Sequence, residues 1–196
     1  TVHYDPVSLR PAMKDYTLFV DGISKSLAST GVRVGWTFGP KTVIDKVKSI
    51  LTHVGAWAPK AEQVATAKFM KNTVAYDAFI EDIRHKINER LVAFHEGIQA
   101  LKKEGFRVES IAPEGAIYLT VQFSTHGQKT KEGKVLNTTA DVTKFILDEA
   151  KVALVPFYAF GASPDSSWYR LSVGTCKTED VNAIISNLRE ALSKLS

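Results

Sequence analysis

Apolar residues in the middle of the chain recur at intervals of three and four positions, the spacing that places side chains on one face of an α-helix. Gly105 follows this series, at a position where glycine commonly terminates a helix in the left-handed conformation. The pattern predicts one long amphipathic helix near residues 77–104. Its apolar face consists of Ile80, Ile83, Ile87, Leu91, Phe94, Ile98 and Leu101.

Shorter patterns precede this helix. An apolar run at 17–20 predicts a buried strand, and the alternation of Val32, Val34 and Trp36 predicts a second strand. Helical spacing follows within 43–51, and residues 60–72 predict a further helix. Strand and helix signals therefore alternate in the first part of the chain, which favours an α/β protein.

The part of the chain after the long helix predicts a sheet covered by helices. The polar stretch 124–137 predicts an exposed loop, and helical patterns occupy 142–150 and 181–192. Two segments alternate apolar with polar residues, as half-buried strands do. Their apolar members are Ile117, Leu119, Val121 and Phe123 in the first, and Tyr169, Leu171 and Val173 in the second.

Composition excludes several classes of protein. The 196 residues carry a net charge of only +4, and no basic run with interleaved aromatic residues indicates a nucleic-acid partner. No apolar run approaches the length of a membrane span. Cys176 is the only cysteine, so no disulfide forms within the chain, and we expect a structural thiol in a reducing cytoplasm. The five histidines show no spacing typical of metal ligands.

The segment around Lys25 carries the strongest chemical signal. From Gly22 to Ile44 the sequence contains no Asp or Glu, whereas Lys25, Arg33 and Lys41 are cationic. Fixed cations without neighbouring acids suit an anionic ligand, of which phosphate is the leading candidate. A lysine amine in such a cluster is also a candidate nucleophile toward an aldehyde. Together these features indicate pyridoxal 5'-phosphate held by a lysine as a Schiff base.

This segment resembles the cofactor-lysine signature of the class I/II aminotransferases, the aspartate aminotransferase family. The resemblance implies that Lys25 forms the Schiff base, that Arg33 binds the cofactor phosphate and that Ser24 belongs to the cofactor site. Many members have a phosphate-binding serine three residues before the lysine, where this chain has Gly22. The matching residues are Ser24, Lys25, Thr30, Gly31, Arg33, Gly35 and Trp36.

A second candidate site centres on Arg170. If 169–173 is a strand, Arg170 points away from the side that Tyr169 and Leu171 bury. Considered alone, such an arginine most often forms a surface salt bridge. The sequence Arg170-Leu171-Ser172 resembles the family's C-terminal element, however, and this implies that Arg170 binds the substrate α-carboxylate.

Two further segments resemble the family near this arginine. Pro113 to Tyr118 resembles the family's entry to a strand of the small domain, and no role is assigned to Tyr118. The segment Val152–Gly161 resembles an apolar strand followed by proline and a Phe-Gly turn. Many members have a small residue after that proline, where this chain has the bulky Phe157 and Tyr158.

The resemblance covers essentially the whole chain but only the C-terminal half of the family's sequence. It implies an α/β fold, the C-terminal part of the fold-type-I architecture of pyridoxal-phosphate-dependent transferases. Residues 1–87 would be a remnant of the large cofactor-binding domain, and 88–196 the small domain of sheet and helices, joined by the long helix. The family's upstream cofactor residues would be missing, so we expect this chain alone to be inactive. A homodimer is also implied.

The function that follows is an amino-acid aminotransferase, with aspartate and 2-oxoglutarate as the default substrates by family analogy. A carbon–sulfur lyase or a decarboxylase on the same scaffold is an alternative, and analysis of products would separate them. An aminotransferase-like effector domain of a transcription regulator is another, and an upstream DNA-binding segment would reveal it. Fold alone does not choose among these reactions.

Overall fold

The computed structural model describes residues 4–196, which form two compact units. The first unit extends to Ile83 and the second comprises Arg84–Ser196. The division falls inside one long helix, and the assignment of the units to the family's large and small domains, with a boundary near residue 87, stays a prediction.

The first unit consists mainly of helices around a short ladder of two strands. In chain order its elements are α1 (Pro6–Leu9), a 3₁₀ turn (Pro11–Asp15), β1 (Phe19–Gly22), α2 (Ile23–Ser26), β2 (Gly35–Phe38), α3 (Lys41–Val54), α4 (Lys60–Lys71) and the beginning of α5 (Thr73–Lys103). The strands β1 and β2 pair antiparallel, from Phe19 opposite Phe38 to Gly22 opposite Gly35. The buried core of the unit is small and consists of Ile23, Leu27 and Val34.

The strands of this unit differ from the sequence prediction in burial and extent. The run at 17–20 was predicted to be buried, but Leu18 is 44% and Val20 77% exposed. The physical reason is that β1 pairs only with β2 among the described residues, so much of its surface has no cover. The second strand begins at Gly35 rather than near Val32, because Arg33 adopts a left-handed backbone (φ 60°) that interrupts an extended chain.

The predicted long helix is confirmed as α5, which spans 31 residues. Within the second unit it buries Leu91, Phe94, Ile98 and Leu101. Gly105 follows it with φ 98°, a conformation that favours glycine. The N–H of Gly105 donates to the carbonyl of Lys102 and the N–H of Phe106 to that of Leu101, so the end of the helix is capped as predicted.

The second unit contains a four-stranded antiparallel sheet. Its strands are β3 (Val108–Ser110), β4 (Tyr118–Phe123), β5 (Val155–Pro156) and β6 (Trp168–Ser172), in the order β3-β4-β6-β5. The helices are the end of α5, then α6 (Thr139–Phe145), which continues into a π-helical turn (Ile146–Ala150), and α7 (Val181–Leu192). Alternate residues of β4 and β6 are buried, as predicted, and form one core with α5, α6 and α7.

Polar contacts fasten the edge strand β3 to α5. His95 Nδ1 lies 2.8 Å from Ser110 Oγ, and Gln99 Nε2 donates to Glu109 Oε1 at 2.6 Å. Lys102 forms an ion pair with Glu109. The hydrogen bonds from Lys102 and Gln99 lower the pKa of Glu109 to about 2. This network therefore covers an edge that is otherwise open to pairing with another strand.

The segment 124–137, predicted to be an exposed loop, is partly buried. Thr125 and Leu136 are each only 1% exposed. The N–H of Gly127 donates to the carbonyl of Leu136, and the N–H of Leu136 donates to that of Gln128. The polar composition does not indicate this burial, because a single apolar side chain, Leu136, anchors the segment to the core.

No helix within residues 4–196 has both the length and the apolar character needed to cross a membrane.

The contact between Gly97 of α5 and Ile185 of α7 provides a test of the core of the second unit. A Cβ added at Gly97 would lie 2.5 Å from Cγ1 and 2.7 Å from Cδ1 of Ile185. Overpacking typically costs about 1–3 kcal/mol, which outweighs the gain of about 1 kcal/mol in helix propensity. We therefore expect Gly97→Ala to lower the free energy of unfolding by about 1 kcal/mol, measured by urea denaturation.

The control is Gly115→Ala, because a Cβ there would meet no atom within 4 Å. Adding Ile185→Ala to Gly97→Ala should cost less than Ile185→Ala costs alone, because the methyl group then occupies released space. A Gly97→Ala variant as stable as the parent protein would contradict the packing described here.

Candidate functional site

Lys25 lies on the connection between β1 and β2, within the single turn of α2. Ile23 and Leu27 are buried and anchor this turn to the core of the first unit, whereas the side chain of Lys25 is exposed. Among the described residues, no hydrogen bond or ion pair engages the Lys25 ammonium. The third cation of the acid-free segment, Lys41, instead donates to Asp45 at 2.6 Å. Lys25 is therefore the lysine of this segment that is available to react.

The connection is closed by a pair of glycines, Gly22 and Gly35, that face each other across the ladder. A Cβ added at Gly22 would lie 3.0 Å from the carbonyl oxygen of Val34 and 3.1 Å from Cα of Gly35. These contacts are to backbone atoms, which cannot move aside as a flexible side chain can. The close approach gives a physical reason why Gly22 stands where many family members have serine.

Arg33 and Ser24 lie on the same connection as Lys25. Arg33 is exposed, and its Nη1 donates to the carbonyl of Thr30 at 2.9 Å. Both Arg33 (φ 60°) and Ala28 (φ 49°) have the left-handed backbone that is uncommon for residues other than glycine. Ser24 is half-buried beside Lys25. The ladder thus brings all three predicted cofactor residues onto one short connection.

The residues of this connection fit a phosphorylated aldehyde. A guanidinium and a hydroxyl are suitable donors to phosphate, and an unpaired primary amine is the nucleophile that an aldehyde requires. The nearest acid in sequence, Asp21, accepts a hydrogen bond from the N–H of Gly22 at 2.7 Å. Strained backbone conformations such as that of Arg33 persist where surrounding structure enforces them, and they concentrate at functional sites.

Arg170 lies in the second unit, on β6, opposite Thr120 of β4. Its guanidinium carbon lies 4.3 Å from the centroid of the Tyr118 ring and 4.5 Å from that of Phe160. Its Nε is buried and has no hydrogen-bond partner. Among residues 4–196, the Arg170 guanidinium forms no ion pair. The salt bridge that is usual for a lone strand arginine is therefore not formed within the described chain.

The two aromatic neighbours of Arg170 were not assigned a role from the sequence. The available signal was the alternation of β4 and β6, which places Tyr118 and Arg170 on the half-exposed faces of their strands. Their contact depends on the register, in which Tyr118 lies opposite Ser172. The apolar alternation fixes the face of each side chain but not which residues lie opposite one another, because a slip of two residues keeps the same faces.

Cys176 lies close to the end of β6 and is half-buried. Its Sγ is 3.7 Å from the carbonyl of Val173, which also accepts a hydrogen bond from Arg90 Nη1 at 3.2 Å. Burial raises the pKa of the Cys176 thiol even though the Arg90 charge acts in the opposite direction. A protonated, half-buried thiol is consistent with a structural cysteine.

A cavity in the first unit lies away from Lys25. It is lined by residues at the other end of the β1–β2 ladder, including Phe19, Phe38 and Lys41, and by neither Lys25 nor Arg33. The rings of Phe19 and Phe38 stack there with centroids 4.8 Å apart. This cavity therefore adds no residue to the site around Lys25.

The chain belongs to the aminotransferase class I and II family, whose sequence profile matches residues 2–188. It is 29% identical to an aspartate aminotransferase of Rhizobium meliloti over 192 residues, which is 97% of this chain and 42% of that protein. It is 31% identical over 177 residues to a probable aspartate/prephenate aminotransferase of Rickettsia bellii, covering 90% of this chain and 42% of that protein.

The fold agrees with this assignment. The crystal structure of the aspartate aminotransferase from Rhizobium meliloti matches 99% of this chain with a TM-score of 0.84 and 27% sequence identity. The match covers 46% of that structure, so the chain spans less than half the length of the relatives it resembles. The predicted α/β fold of this family is confirmed.

The environment of Cys176 predicts slow thiol chemistry. Because a raised pKa keeps the thiol protonated to higher pH, the reactive thiolate is scarce at neutral pH. We expect iodoacetamide to alkylate Cys176 at pH 7.5 at least several-fold more slowly than it alkylates glutathione, with the rate still rising above pH 9. Mass spectrometry of quenched samples gives both rates, and alkylation as fast as that of glutathione would contradict the assignment.

Proposed function

We propose that the protein containing this chain is a pyridoxal-phosphate-dependent amino-acid aminotransferase, with aspartate and 2-oxoglutarate as its default substrates. The observation that carries the proposal is Lys25, an exposed and unpaired amine on an acid-free connection that also holds Arg33. The relatives described above are named as aminotransferases, which favours this reaction over a lyase, a decarboxylase or a regulator's effector domain.

Three residues would hold the cofactor. Lys25 would bind the aldehyde carbon of the cofactor, Arg33 would bind the cofactor phosphate, and Ser24 would contribute a hydroxyl donor. Pyridoxal 5'-phosphate, when bound, supplies the aldehyde that accepts an amino group and an electron sink for the bond broken at the substrate α-carbon. The residues of the chain supply orientation and proton transfer.

Lys25 would have a second task when the substrate amine takes its place on the cofactor. Its free Nζ would accept the proton from the substrate α-carbon, and in the reverse half-reaction it would return a proton to that carbon. A base of this kind must be free of a carboxylate partner that would keep it protonated. The absence of any such partner for Lys25 within residues 4–196 supports this assignment.

Arg170 would bind the α-carboxylate that every amino-acid substrate shares. A guanidinium donates two parallel hydrogen bonds to a carboxylate, a geometry that an ammonium cannot reproduce. No hydrogen bond or ion pair within residues 4–196 occupies the Nη1 and Nη2 donors of Arg170, and this supports the proposal because these two nitrogens form such a fork. The homodimer implied by the resemblance and the cytoplasmic location expected from the single cysteine stay predictions.

The assignment of Lys25 can be tested by trapping the Schiff base. The protein in its natural full length, incubated with pyridoxal 5'-phosphate and reduced with borohydride, should carry the pyridoxyl group on Lys25 after peptide mapping. Lys25→Arg keeps the charge but removes the nucleophile, so it should abolish both labelling and turnover. Lys41→Arg is the matched control, because Lys41 is paired with Asp45. Labelling of another lysine in the parent protein would refute the assignment.

The role of Arg170 predicts a loss that depends on the substrate. Arg170→Lys keeps the charge but loses the planar fork, so kcat/KM for the amino acid should fall by about one to two orders of magnitude, or roughly 1.4–2.8 kcal/mol. The absorbance of the bound cofactor should hardly change, since Lys25 and Arg33 still hold it. An amine without a carboxylate serves as control substrate, and an equal penalty on both substrates would show that Arg170 is structural.

A further inference from the structure

Two aromatic rings surround the guanidinium of Arg170. Its Cζ lies 4.3 Å from the centroid of Tyr118 and 4.5 Å from that of Phe160. Cation–π attraction is effective within about 6 Å of a ring centroid, so both contacts are well inside that range. Arg170 is therefore held by aromatic rings and not by an acid.

The rings come from elements on the two sides of β6. Tyr118 belongs to β4, where the register places it diagonal to Arg170, opposite Ser172. Phe160 ends the 3₁₀ turn Phe157–Phe160 that follows β5, the strand on the other flank of β6. Phe160 is itself supported by an edge-to-face contact with Phe157, at 6.4 Å between centroids. Restraint from both flanks limits the positions that the guanidinium can occupy.

This restraint uses none of the hydrogen-bond donors of Arg170. No side-chain hydrogen bond or ion pair engages it within residues 4–196, and its buried Nε has no partner. Arg189 in the same unit shows the other way of holding an arginine, because its Nε and Nη2 donate to Glu104 at 2.7 and 2.9 Å. A carboxylate partner orients a guanidinium but occupies its fork, whereas aromatic rings leave the fork open.

We propose that Tyr118 and Phe160 are positioning residues, which hold the Arg170 guanidinium through their rings so that its N–H fork remains free for a substrate carboxylate. The inference rests on the proposed function of Arg170. Without the rings, the long side chain must be ordered when the carboxylate binds, and this ordering opposes binding. The aromatic faces matter here, and the Tyr118 hydroxyl does not.

The test uses the full-length protein loaded with pyridoxal 5'-phosphate. Propionate provides a carboxylate without an amino group, and its inhibition constant is measured together with KM and kcat for aspartate. Tyr118→Leu and Phe160→Leu should each raise the inhibition constant of propionate and the KM for aspartate about three- to tenfold, with a smaller change in kcat. Tyr118→Phe should stay within about twofold of the parent, because the ring is retained.

Two controls isolate the action through Arg170. Trp168→Leu removes an aromatic side chain from the same half-exposed face of β6, and Trp168 makes no cation–π contact with Arg170. The Trp168→Leu variant should bind propionate with the affinity of the parent protein. In an Arg170→Gln background, which lacks the cation, Tyr118→Leu should cause no further loss. Turnover of an amine without a carboxylate should not respond to either ring.

The outcomes separate this inference from the proposed function. If both leucine variants bind propionate as the parent does while Arg170→Lys weakens it, the positioning role is wrong and Arg170 keeps its proposed function. If Arg170→Lys also leaves the inhibition constant of propionate unchanged, the proposed carboxylate site and the positioning role are both wrong. A Tyr118→Leu loss that persists in Arg170→Gln would mean that the ring contacts the ligand directly, which also overturns the inference. Phe160 is 55% exposed, so Phe160→Leu keeps the test valid if Tyr118→Leu misfolds.

Discussion

The core of the second unit packs α5, α6 and α7 against the buried residues of β4 and β6, and this packing sets the direction of every side chain on those strands. Successive residues of a strand point to opposite faces. Burial of Tyr169 and Leu171 therefore turns Arg170 to the other face, and burial of Leu119 turns Tyr118 to that same face. A one-residue slip of β6 would bring Arg170 into an apolar core, which the cost of an unpaired buried charge forbids.

The same constraint explains what could be predicted from the sequence. The periods of 3.6 and 2.0 residues are local properties, so α5, β4 and β6 were predictable, together with the outward direction of Arg170. The pairing of β4 with β6 and the register of Tyr118 against Ser172 join residues about 50 positions apart in the sequence. No local pattern encodes them. The contact of Arg170 with Tyr118 depends on this long-range pairing, and its contact with Phe160 depends on how the 3₁₀ turn after β5 places that ring beside β6. Both contacts were missed although all three residues lay within recognised segments.

Burial was predicted less well than secondary structure in the first unit. An apolar run such as 17–20 indicates a strand, but whether that strand is covered depends on what packs on it, and within residues 4–196 β1 pairs only with β2. The candidate cofactor residues were easier to predict because Ser24, Lys25 and Arg33 lie on one connection whose ends pair as Gly22 and Gly35. Their proximity follows from chain connectivity and needs no distant partner. The left-handed backbone of Arg33 could not be predicted, since only a minority of arginines adopt it.

The energetics of Arg170 show how an unpaired cation is compatible with a stable fold. A buried donor without an acceptor costs about 1–3 kcal/mol. A cation–π contact contributes about 0.5–1 kcal/mol when exposed and about 2 kcal/mol when desolvated, so the rings of Tyr118 and Phe160 together offset a cost of this size. An acid in their place would satisfy the Nε of Arg170 directly, as Glu104 does for Arg189. It would also compete with any incoming carboxylate for the same donors, whereas the aromatic arrangement restrains the guanidinium and leaves those donors available.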